Sequence, residues 1–311
     1  MPEFPQLRFL RPRLTRPIPG LDRTGVTAAT TDLPVLLPPG DRLTQPAFMP
    51  PRIELKAWHG LVVAAVFMLS LGISDVYAQA SGTRESLFTT FVRWVPFVLW
   101  GFVLNLVISF FAMAIGTVAG AALGLMQVSL LAPVRGGSWV VTQFFRNSPW
   151  LVLLFCIMLL LPFQITVFGV EFNIPDWMKA TIGFSLPVMA NISEVVRGAV
   201  RSIPSGQWES AESLAFSRRQ TMWMIILPQC IKRMIPPWMN WYAILTMATP
   251  LASIMGVEEA VTHSQQAMAA EGSRPELLGP FYSFLLVIFF LYCYPIARWT
   301  ISLERRFTVK I

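Results

Sequence analysis

Apolar residues in this chain gather into long runs separated by short polar connections, a pattern that predicts helices crossing a lipid core. The first run, 58–78, is long enough at about 1.5 Å per residue to span a core of about 30 Å. After a polar connection at 84–93 comes an apolar stretch, 94–132, too long for one perpendicular crossing. Its start, ending near Trp100 and Gly101, predicts an interfacial helix with tryptophans at headgroup level, and the crossing proper is expected at 102–125. Gly116, Gly120 and Gly124, spaced by four, set a small-residue face against a neighbouring helix. A third crossing is expected at 140–163, with Pro149 forcing a kink or break near its entrance. A loop at 171–176 leads to a fourth, 177–200, interrupted by Pro187. A fifth, 234–255, is followed by an amphipathic stretch, 257–270, on the outer face, and a sixth covers 277–298. The fold class expected is an all-α polytopic membrane protein.

Two regions depart from this pattern. Residues 1–56 contain many prolines and eight Lys or Arg against five Asp or Glu, without apolar periodicity, and read as a disordered, weakly basic cytoplasmic tail. The segment 57–80 is expected to be an extra N-terminal transmembrane helix. Its end, Ala78-Gln79-Ala80, resembles a signal-peptidase site, and 49–80 alone would have the pattern of a signal peptide; retention of the helix is the working expectation. The second departure is the island 203–228, polar and charged between apolar runs. It predicts two short helices joined by a bend, the first with Ser205 as N-cap and Glu209 and Glu212 near its positive end, the second opening at Arg218-Arg219-Gln220 and stopping at Pro228. So polar a segment has no place in hydrocarbon.

Charge orients the chain. With the tail inside and six crossings, 20 of the 24 Lys and Arg fall on the tail side of the membrane, leaving Arg84, Arg93, Lys179 and Arg274 outside, while the 17 acids divide nearly evenly. Both termini and the island are therefore expected in the cytoplasm. The composition agrees, with 54% hydrophobic and 13% charged residues, and the net charge of +7 needs no nucleic acid to explain it. Cys156, Cys230 and Cys293 lack metal-ligand spacing and read as inert core residues; His59 and His263 read as surface residues at helix ends. No clustered His, Asp or Ser groups point to a membrane enzyme.

The island's spacing narrows the class. Glu209-Ser210-Ala211, then Ala215, then Ile225-x-Leu227-Pro228 resembles the EAA loop of ABC importer permeases, whose pattern is EAA, three residues, Gly, nine residues, I-x-LP. Ser210 replaces the first Ala and Ala215 the Gly. The run 193–237, the segment FFRNSPWLVLLF and SIMGVEE are similar to permeases of the polar amino acid uptake family, over roughly 90–307. The resemblance implies a type I ABC importer transmembrane domain with a five-helix core. It implies import, of amino acids or another small polar solute, driven by a separate dimer of ATP-binding subunits that hold ATP and Mg, since no GxxxxGK[ST] phosphate loop occurs here. Further partners implied are a second permease subunit, a periplasmic substrate-binding protein and the bilayer of a bacterial inner membrane. Trp208, Glu209, Ser210, Ala211, Glu212, Leu214 and Ala215 would contact the ATPase as a ball in a socket.

Ala215 is the one departure with a physical penalty attached. If the family glycine serves a left-handed turn, an alanine there costs on the order of 1 kcal/mol, unless the turn is less sharp in this chain. Cargo contact is less marked. Where the family often has Asn-Ser-Gly-Ala-Tyr, this chain has Pro187-Val188-Met189-Ala190-Asn191, and where many have Lys-Asp-Thr-Ser it has Met247-Ala248-Thr249-Pro250. Loss of the two charges implies the less committed member of a heterodimer. Asn191, Ser193, Asn240, Thr246 and Thr249 remain to line a pathway, or else to bond neighbouring helices, while Glu194 and Arg197, one turn apart, are expected to pair. Pro149, Pro187 and Pro250 are expected bending points in an alternating-access cycle. A passive channel remains the alternative that needs no coupling loop.

Overall fold

The computed structural model describes residues 87–167 and 170–307, with single positions between 60 and 76. The tail 1–56 lies outside the described residues, as does most of 57–80, where the described positions, Val62 and Leu69 among them, are helical and exposed.

The helix α1, Leu87–Gln127, is a single element of 41 residues, roughly 60 Å long. It replaces the expected interfacial helix and separate crossing. Pro96 sits inside it without ending it, and the whole stretch is apolar enough to remain helical beyond a single bilayer thickness. Next come α2, Ala132–Asn147, and α3, Trp150–Leu160, which meet at 105°. Ser148 and Pro149 are both extended, as the restriction on a residue before proline requires, so the break expected at Pro149 is present and divides the 140–163 stretch between two helices. A hairpin of β1, Gln164–Val167, and β2, Val170–Asn173, follows, with Gln164 opposite Asn173; it takes in part of the expected 171–176 loop and is an exception to an otherwise helical fold.

The central element is α4, Asp176–Arg201, which runs unbroken through Pro187 and corrects the expected interruption there. It carries Asp176, Lys179, Glu194 and Arg197, too many charges for a lipid-facing helix, and among the described residues it is the most enclosed helix. Its apolar face, Phe184, Val188 and Ile192, packs on Ile108, Ala112 and Met113 of α1 and on Leu154 of α3. The glycine stripe makes this contact close. A β-carbon at Gly120 would lie 2.6 Å from the Met189 carbonyl oxygen, and one at Gly124 2.7 Å from that of Ser193, so α1 and α4 touch backbone to backbone.

Two short elements follow: α5, Ser205–Ser213, and α6, Arg218–Gln220. A π-helical segment, Thr221–Ile226, then runs directly into α7, Leu227–Ala248. Pro228 therefore does not stop the helix. It falls in the first turn of α7, and the wider preceding turn, with the Leu227 N–H reaching back to the Met222 carbonyl, accommodates a ring that an ordinary turn would not. After α7 comes a 3₁₀ segment, Thr249–Met255, then α8, Ala260–Ala270, and α9, Leu278–Phe307. Among the described residues, two helices are long and apolar enough to cross a membrane, or four if each bent pair counts as one span. Phe110, Val118, Leu286 and Leu291 form exposed apolar surface of the kind lipid covers.

Candidate functional site

The polar island folds into an exposed short helix seated on the ends of two long ones. Pro204, not Ser205, is the N-cap of α5, and no side chain caps it. Trp208 is half-buried against a cluster of Val200 at the end of α4, Ile203 just beyond it, Ile226 closing the π-helical segment and Cys230 in the first turn of α7. Ala211 is 1% exposed. Of the seven residues expected to meet an ATPase, Ala211 thus faces the chain's own core and Trp208 is the seat, while Glu209, Ser210, Glu212, Leu214 and Ala215 are exposed. Arg233 of α7 ties the base of the loop to α4 by donating to the Ser202 carbonyl (2.6 Å) and hydroxyl (2.8 Å).

The bend after α5 is a left-handed turn. Ala215 has φ of 57°, the Phe216 N–H bonds to the Ala211 carbonyl at 3.1 Å, and the Ala215 N–H bonds to the Glu212 carbonyl at 2.9 Å. These two bonds make a Schellman closure, which normally takes glycine at the position of Ala215. The chain keeps the turn and accepts the strain. Ser217 and Gln220 then form a capping box that opens α6, the Ser217 N–H donating to the Gln220 side chain at 2.8 Å.

The expected pathway residues do not converge. Asn191 donates to the Pro187 carbonyl of its own helix at 2.8 Å, Thr246 to that of Tyr242 at 2.9 Å, and Asn240 alone of the five is exposed. Ser193 is fully buried and accepts from Gln127 (3.1 Å), in a network with Thr142 that joins α1, α2 and α4. The Glu194–Arg197 pair forms as expected, with Arg146 of α2 as a second cation 3.6 Å from Glu194.

Thr249 belongs to a cluster that sequence reasoning did not assemble. Asn105, in the middle of α1, donates to Thr249 Oγ1 at 3.0 Å and to Glu259 Oε2 at 2.8 Å, while its own carbonyl oxygen receives the Ala260 N–H at 3.1 Å. The other Glu259 oxygen receives the N–H groups of Val261 (3.0 Å) and Thr262 (3.2 Å), so Glu259 caps α8. Both Asn105 and Glu259 are fully buried. An acid immediately ahead of a helical stretch was the available signal for Glu259, and a lone amide within the apolar run of α1 the signal for Asn105.

Two smaller expectations, for His263 and Cys156, are corrected. His263 is buried in α8, with Nδ1 2.8 Å from the Phe97 carbonyl and its ring stacked on Phe97 at 4.0 Å; Gly101, where a β-carbon would lie 2.7 Å from that nitrogen, provides the room. The stretch 257–270 is amphipathic as expected, with Ala260, Ser264, Ala267 and Met268 buried and Gln265, Gln266, Ala269 and Ala270 exposed. Cys156 is exposed, unlike Cys230 and Cys293, which are core residues. Lys179 is wholly buried, its ammonium 3.3 Å from Asp176 and 3.4 Å from the centre of the Phe163 ring. Among the described residues no group of His, Cys, Asp and Glu forms a metal site.

The family described as the binding-protein-dependent transport system inner membrane component matches residues 116–308, a span that holds α4, the seated loop and α7. The chain belongs to that family. Within it, the chain is 40% identical over 170 residues to the "Probable amino-acid ABC transporter permease protein YckA" of Bacillus subtilis (strain 168), covering 55% of this chain and 73% of that protein. It is 32% identical over 216 residues to the "Inner membrane amino-acid ABC transporter permease protein YhdY" of Escherichia coli (strain K12), covering 67% of this chain but only 55% of the relative. The fold of this family member is similar to a chain in a crystal structure of an amino acid ABC transporter with histidines, with a TM-score of 0.60 at 23% identity, over 72% of this chain and 99% of that one. As a member of the family it is a multi-pass membrane component of a binding-protein-dependent transport system.

Proposed function

We propose that the chain is the membrane-spanning subunit of an ATP-driven amino acid importer, and that α5 is its handle for the motor. One observation carries the reading: α5 is clamped from above by Trp208 and Ala211 on the ends of α4 and α7, while Glu209 and Glu212 stand free below. A partner that grips the free face moves two long helices at once. The named relatives favour an amino acid as cargo. The positive-inside bias favours a cytoplasmic loop and cytoplasmic termini.

In this reading a separate ATPase dimer holds ATP and Mg, a periplasmic binding protein delivers the solute, and a second permease subunit completes the pathway. Met247 and Ala248, standing where related chains have Lys and Asp, support unequal partners. Alternating access follows if the broken pair α2–α3 and the 3₁₀ segment before α8 change angle while α1 and α4 keep theirs. The test is uptake and substrate-stimulated ATP hydrolysis by the reconstituted complex with Glu209→Lys and Glu212→Lys together. The expected result is loss of both, with the permease still folded and inserted. Unchanged ATP-dependent uptake overturns the handle, and uptake that needs no ATPase makes the chain a channel.

A further inference from the structure

Two cavities meet beside the coupling loop. The first, of about 320 Å³, is lined by Arg135, Arg201 and Arg218, from the start of α2, the end of α4 and α6, with Trp208 beside them. The second, of about 440 Å³, shares Val128, Ser129, Leu130, Arg218 and Met222 with it and adds Leu125, Arg219 and Trp223. The pair is thus continuous, with Arg135 and Arg201 at one end, Arg218 and Arg219 further along, and the larger share of apolar lining, Leu125 and Trp223 included, at the other end.

The basic end lacks a counter-charge. Among the described residues, Arg135, Arg201 and Arg218 form no ion pair with any acid; Arg135 donates to the Ser129 carbonyl at 3.3 Å, and Arg218 stands over the Trp208 ring at 5.6 Å. Three guanidiniums around one cavity repel one another and favour a phosphate, which each can meet with paired N–H donors. The apolar end is open, with Leu130 66% and Trp223 60% exposed, and in water such a surface would be unfavourable. A free phosphate satisfies only the first end. A phospholipid satisfies both, its headgroup among the arginines and an acyl chain along Leu130, Met222 and Trp223.

We infer that this double cavity binds an anionic phospholipid at the membrane boundary, with its headgroup bridging α2, α4 and α6. The bound lipid fixes the base of the coupling loop, so the complex transports best in bilayers that contain acidic lipid. This holds whatever solute is carried.

The experiment uses the full chain copurified with its ATPase and returned to nanodiscs of phosphatidylcholine with or without phosphatidylglycerol. Retained lipid is read by native mass spectrometry and ATP hydrolysis is measured in parallel. The wild type is expected to retain phosphatidylglycerol over phosphatidylcholine and to hydrolyse ATP faster in its presence. Arg135→Gln with Arg201→Gln is expected to weaken retention roughly tenfold and to remove the acceleration, while Arg135→Lys with Arg201→Lys keeps most of both. Equal retention by the Gln variant and the wild type overturns the site. Displacement of the lipid effect by inorganic phosphate overturns the lipid in favour of a simple anion. Loss of the ATPase from the Gln variant, with phosphatidylglycerol retention unchanged, assigns the arginines to the protein partner and also overturns it.

Discussion

The coupling loop and the Asn105–Glu259 cluster solve opposite problems with similar residues. At the loop, Glu209 and Glu212 are exposed and bonded to nothing through their side chains among the described residues, and the residues that hold the helix in place are a tryptophan and an alanine. At the cluster, Glu259 is fully buried and both its oxygens receive N–H donors from three different residues. The difference teaches that acidity alone says little in such a chain. An acid that receives every donor around it is holding its own protein together, and an acid with nothing to receive is available to another.

The sharpest way to break this contrast is at Glu259. Replacing it with Ala leaves one of the two Asn105 amide hydrogens and two backbone N–H groups without an acceptor in a buried site and removes the cap of α8, which should destabilise the protein by about 3 kcal/mol. Glu259→Gln should recover about half, because its carbonyl oxygen can still cap α8 while its amide faces the Asn105 donor; thermal unfolding of the purified complex measures both. Next in size is Gly120→Val, which forces α1 off α4 and should cost about 2 kcal/mol, read as a lower unfolding temperature and poorer assembly. If α1 and α4 tolerate valine there, their close contact is not what fixes them.

The charge reversal at Glu209 and Glu212 should do the reverse of the Glu259 change, leaving unfolding temperature alone while lowering uptake roughly tenfold or more. A fall in thermal stability instead would place those acids in the fold and not at an interface. The smallest effect belongs to Ala215→Gly, which relieves a left-handed alanine and should stabilise by about 1 kcal/mol, seen as a rise of about 2 °C. A destabilised glycine variant would mean that backbone freedom outweighs the strain.

How much of this was legible in the sequence followed from how local the cause was. The glycine face, the break at Pro149, the Glu194–Arg197 pair and the left-handed turn at Ala215 depend on neighbours within a few residues, so spacing revealed them or posed them as a definite question. The cluster of Asn105, Thr249 and Glu259 joins positions 144 and 154 residues apart, and no periodicity relates them. Prolines were the least readable. Pro96, Pro187 and Pro228 lie in continuous helix, because a missing N–H matters less where neighbouring turns widen or where surrounding helices hold the chain. His263 was misplaced for a related reason: a lone polar residue on a helix of few charges reads the same on its exposed face and on its packed one.

The glycine stripe has a mechanical consequence. Two rods pressed together with Val188, Ile192 and Val196 of one seated on Gly116, Gly120 and Gly124 of the other interlock instead of sliding, so α1 and α4 travel as one beam. Displacement of the Arg201 end then carries the Asp176 end with it, and bending is left to the joints around that beam, the 105° break between α2 and α3 among them.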